Sequence, residues 1–94
     1  MTVYEAIQKM RELSASGESF SFTFMSYSID KRESHGLVHV PNARLAKQHK
    51  KERNQYVDFM LNYIDLDTAE HRRCWQPLII EFNEQPLTLD GHTI

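Results

Sequence analysis

His35, His39, His71 and Cys74 are the side chains here best suited to hold a borderline-soft metal ion. Imidazole nitrogens and a thiolate ligate zinc only when they converge on one point, within about 2.0–2.3 Å of the ion. The spacing His35-x-x-x-His39 brings two rings together on a helix face. Gly36 and the nearby Val residues favour an extended chain instead, along which four residues span roughly 13 Å. No metal or other cofactor is therefore expected. His71-x-x-Cys74 does not read as a base and its nucleophile either: nothing around Cys74-Trp75 resembles a reactive-thiol signature, and an isolated cysteine packs as a small apolar residue. No catalytic residue is assigned, and the chain is read as a non-enzyme.

Two charged clusters remain. Asp65, Asp67 and Glu70 share an Asp-x-Asp with the start of a calcium loop, but the bending Gly and the terminal Glu are missing. Asp side chains cap their own backbone in turns, so the cluster reads as a hairpin connection. Arg44, Lys47, Lys50, Lys51 and Arg53, opposed only by Glu52, make a basic stretch. Such cations can neutralise phosphates with salt-sensitive, sequence-blind affinity, although no aromatic residues are interleaved for stacking on bases. The same stretch can dock on an acidic protein surface or lie solvated as a loop.

The elements that must position these residues are organised around Ser19-Phe20-Ser21-Phe22-Thr23-Phe24. Alternation with period two places three Phe rings on one side of a strand over about 19–27. Before it, Thr2-Val3-Tyr4-Glu5 forms a capping box, and Val3, Ile7, Met10 and Leu13 make the apolar stripe of a helix over about 2–15. Gly17 is placed to end that helix in a left-handed conformation, and the stripe is the natural lid for the Phe face. Further strands are expected over about 37–41, 59–66, 71–75, 78–83 and 86–89. Gly36 marks a turn, Pro41 an edge or a break, and residues 44–55 a basic loop. Residues 56–66 also fit a helix, with Val57, Met60, Leu61 and Ile64 on one side. The hairpin context of Asp65–Glu70 favours the strand. Asn83-Glu84 or Asn83-Glu84-Gln85 turns the chain toward its last strand, without the Gly that usually follows Asn. Residues 90–94 read as a frayed tail.

A chain of 94 residues with a formal net charge of −2 supports one core and projects no global field toward nucleic acid. A single cysteine excludes an internal disulfide and fits a reducing compartment. The acidic residue in Met1-Thr2-Val3-Tyr4-Glu5 argues against a signal peptide, and no run approaches the roughly 20 apolar residues of a membrane span. A cytoplasmic location without membrane contact is expected. The fold class is α+β: the N-terminal helix on a five- to six-stranded antiparallel sheet, either open or curled into a small, partly closed barrel.

Ser21-Phe22-Thr23-Phe24 with His35-Gly36, and Asp65-Leu66-Asp67-Thr68 followed by Arg72-x-x-Trp75-x-Pro77-Leu78 and Phe82-Asn83, resemble small uncharacterised proteins encoded in bacterial prophages and related mobile elements. Glu84 departs from that pattern, in which Gly often follows the Asn. The resemblance implies a genetic context and brings no catalytic residues. It favours a structural or assembly protein whose partners are other protein subunits. The alternative is a nucleic-acid-binding accessory protein using residues 44–53.

Overall fold

The computed structural model describes residues 1–28, 31–46 and 59–88, with Ser28 and His35 described in backbone only. Helix α1 (Val3–Ala15) begins as its sequence dictates. The Glu5 amide donates to Thr2 Oγ1 at 3.1 Å, and the Thr2 amide donates to Glu5 Oε1 at 3.3 Å. It ends at Gly17, φ 77°, where the Glu18 amide reaches back to the Leu13 carbonyl and the Gly17 amide to that of Ser14. This is the two-bond glycine stop that satisfies the last carbonyls of a helix.

Among the described residues six antiparallel strands follow: β1 (Phe20–Ser28), β2 (Glu33–Leu45), β3 (Met60–Asp65), β4 (Glu70–Trp75), β5 (Ile79–Phe82) and β6 (Gln85–Pro86). Their order across the sheet is β4-β3-β2-β1-β5-β6, and the sheet stays open rather than closing into a barrel. A 3-10 turn at Gln76–Leu78 joins β4 to β5. Of the strand expected over 86–89, Thr88 instead makes a parallel bridge to Thr2.

The three Phe side chains of β1 are buried, as their alternation requires, but α1 is not their only cover. Val3, Ala6, Ile7 and Met10 of the helix share the core with Leu61, Tyr63 and Cys74 of the β3–β4 hairpin. Tyr63 meets Phe22 edge-on, with ring centroids 5.0 Å apart. The hairpin reaches the Phe face because β2 is longer and less regular than the five-residue strand expected at 37–41. Phe22 pairs with Val40 but Phe20 with Ala43, so Pro41 and Asn42 together oppose Ser21 in a bulge. Only beyond it, at Ala43–Leu45, does β2 pair with β3.

Pro41 therefore does not break the strand, but it does lie at an edge, since among the described residues β2 gains its outer partner only from Ala43. It occupies a bulge, where an extra residue is left unpaired and the strand bends. Gly36, expected in a turn, likewise sits inside β2 at φ 89°, at a second bulge between the pairs Ser26–Gly36 and Tyr27–Ser34. Of the loop expected over 44–55, Arg44 and Leu45 instead finish β2, and residues 47–55 lie outside the described residues. A third bulge puts Ile79 and Phe82 in the core and leaves Ile80 exposed.

Candidate functional site

With Phe20, Phe22 and Phe24 turned inward, Ser21, Thr23, Met25 and Tyr27 of β1 point to the opposite face of the sheet. Cross-strand pairing adds His39 beside Thr23, Leu37 beside Met25, and Glu81 on the far side of Thr23. Leu37 is 60% exposed and Tyr27 41%. This face is open.

A polar trio crosses three strands on it. The Thr23 hydroxyl donates to Glu81 Oε1 at 3.3 Å and lies 2.8 Å from His39 Nδ1. A hydroxyl has one proton to give. With that proton on the carboxylate, Nδ1 of His39 is the donor to Thr23. The imidazole thus gives a proton to the hydroxyl instead of taking one, the reverse of what an activated nucleophile requires. Thr23 falls on the polar side of the alternating strand, but its two partners lie 16 and 58 residues away. Register between strands is set by turns and bulges remote from the residues concerned, so no local motif marks the trio.

The β1–β2 ribbon also has bare flanks. β1 pairs with β5 only from Phe22 to Phe24, and β2 with β3 only from Ala43 to Leu45. Among the described residues no strand pairs with the outer edge of β2 before Asn42, whose carbonyl accepts from the Leu66 amide at 3.0 Å. From Ser34 to Asn42 this edge carries no Lys, Arg, Asp or Glu. The two outermost strands are different. β4 places Glu70, His71, Arg72 and Arg73 on the rim, and β6 is two residues long and contains Pro86. Charge, shortness and proline are the usual protections of a sheet edge against other chains. From Ser34 to Val40 the β2 edge carries neither charge nor proline; Pro41 stands only at the bulge where the bare stretch ends.

The residues singled out for chemistry are not brought together. His71 is exposed while Cys74, an odd number of residues along the same strand, is buried on the other face. Burial pushes the Cys74 thiol up to about 12, which keeps it protonated and unreactive. Among the described residues no three His, Cys, Asp or Glu side chains gather as metal ligands. The acidic cluster does make a hairpin turn: Asp65 Oδ1 accepts the Asp67 amide, Asp67 Oδ1 accepts from Asn42 Nδ2, and Glu70 pairs with Arg72 at 2.8 Å.

Of the basic stretch, Arg44 lies in β2 and donates to the Gly17 carbonyl at 2.9 Å, at the negative end of α1. Lys47, Lys50, Lys51 and Arg53 lie outside the described residues. No described helix is long and apolar enough to cross a membrane. No protein-family model, curated protein or solved structure matches the chain.

Proposed function

We propose that this is a non-enzymatic structural or assembly protein of a prophage or related mobile element, and that it works by pairing strands with another protein subunit. The unprotected edge of β2 carries the reading. An extended, uncharged strand with unpaired amides and carbonyls is a template for a further strand, and main-chain hydrogen bonds supply affinity in such additions. The partner is a second copy of this chain. An edge free of charge has no like-charge conflict when it meets itself antiparallel across a two-fold axis. Tyr27 and Leu37 on the adjoining face add apolar area to the contact. The resemblance to prophage-encoded proteins supports the genetic context.

Light scattering coupled to size exclusion over a concentration series tests this. The wild-type chain is expected to pass from monomer to dimer, and Leu37→Lys, a change at an exposed position, to remain monomeric with its melting temperature within a few degrees. A chain that stays monomeric at millimolar concentration overturns the reading. If the same chain binds an arbitrary duplex with affinity falling steeply in salt, the nucleic-acid alternative through Arg44, Lys47, Lys50, Lys51 and Arg53 takes its place.

A further inference from the structure

Where the β1–β2 ribbon and the β3–β4 hairpin diverge from the core they leave a cleft of about 450 Å³, within the range of small-molecule sites. Phe24 and Val38 line it from the ribbon, and Tyr63, Asp65 and Arg72 from the hairpin. Tyr63 is 1% exposed, and its ring is held against Phe22 and Phe24 at centroid distances of 5.0 and 6.1 Å. Its hydroxyl nevertheless makes no hydrogen bond among the described residues. The hydroxyl is not one of the fully buried polar atoms, so it is open to the cleft that Tyr63 lines.

The same burial raises the Tyr63 pKa to about 12, so the hydroxyl is a neutral donor at ordinary pH. Arg72 stands directly across from Tyr63 in the ladder, and its guanidinium is held at 2.8 Å by Glu70. Both side chains of that pair are about half exposed, so the bond is readily exchanged for another carboxylate.

We propose that this cleft binds a monocarboxylate with an apolar body, its carboxylate taken by the Tyr63 hydroxyl and the Arg72 guanidinium and its body lying on Phe24 and Val38. Asp65, on the same wall, disfavours a second negative charge on the ligand. The two donors match one carboxylate, whose charge-assisted hydrogen bonds are the strong kind.

Calorimetric titration of the full chain with 4-phenylbutyrate, against 4-phenylbutanol as the uncharged control, tests the assignment. Saturable binding of the acid, about tenfold or more tighter than the alcohol, is expected, since a hydrogen bond to a charged group carries roughly that factor. Tyr63→Phe keeps the packed ring and removes only the hydroxyl. It should weaken the acid about tenfold while leaving the melting temperature unchanged or raised, which a structural hydroxyl would not do. Glu70→Gln, at an exposed position, should tighten binding by releasing Arg72, and it reads the site even if Tyr63→Phe fails to fold. Absence of saturable binding, or affinity indifferent to both substitutions, overturns the proposal.

Discussion

Cys74 and Tyr63 tie the chemistry of single residues to the stability of the whole fold. Burial raises the thiol from 9.0 to about 12, and the phenol from 10.0 to about 12. Below pH 9 both groups are protonated folded or unfolded, and their contribution is fully present. Above it the unfolded chain releases protons that the folded chain keeps, so stability falls as pH climbs from 9 toward 12. A melting temperature that declines across pH 9–11, less steeply in Cys74→Ala, is the expected result. At pH 8 a thiol reagent should label Cys74 only as fast as the chain opens. Rapid labelling of the native protein would show the thiol to be accessible.

Elements obey their local sequence where the determining residues are neighbours. The Thr2–Glu5 box, the Gly17 stop and the Phe alternation were all legible because each works over a few residues. The Asn83-Glu84 turn shows a local rule strained. Both residues have positive φ, 47° and 68°, as the tight hairpin turn demands, and Asn83 is pinned by accepting the Ser21 amide at 2.9 Å. Glu84 has no such compensation among the described contacts. Glu84→Gly should therefore stabilise the protein by about 1 kcal/mol, the cost of a left-handed L-residue. That corresponds to roughly 4–8 °C in Tm for a domain of this size, and an unchanged melt would mean the strain is absorbed elsewhere. The bulges were not legible. Pro41 reads as an edge or a break and Gly36 as a turn, because nothing local states that an opposing strand will absorb an extra residue. The polar trio on the open face and the cleft around Tyr63 depend on those bulges. They escaped the sequence for the same reason, although each member was visible singly.

At the scale of the molecule, β2 belongs to two neighbourhoods. Its last residues, Ala43–Leu45, have β1 or the helix turn on one side and β3 on the other, and the Leu45 amide is further held by Ser14 Oγ at 3.0 Å. Its first residues, Glu33–Leu37, have β1 alone among the described strands. Two strands without a third are marginal in water, so one strand contains both firm and weak backbone. The function proposed for its edge draws on the weak half.

That division sets a clock for each amide. In deuterated buffer the Ala43 and Leu45 amides should exchange only when the whole molecule opens, whereas free-edge amides between Ser34 and Val40 should exchange by local fraying, orders of magnitude sooner. Dilute protein should show this gradient along a single strand. Concentrated protein should lose it selectively, the Ser34–Val40 amides slowing while Ala43 and Leu45 keep their rates, because a strand added to the bare edge closes the solvent's route to the fraying half.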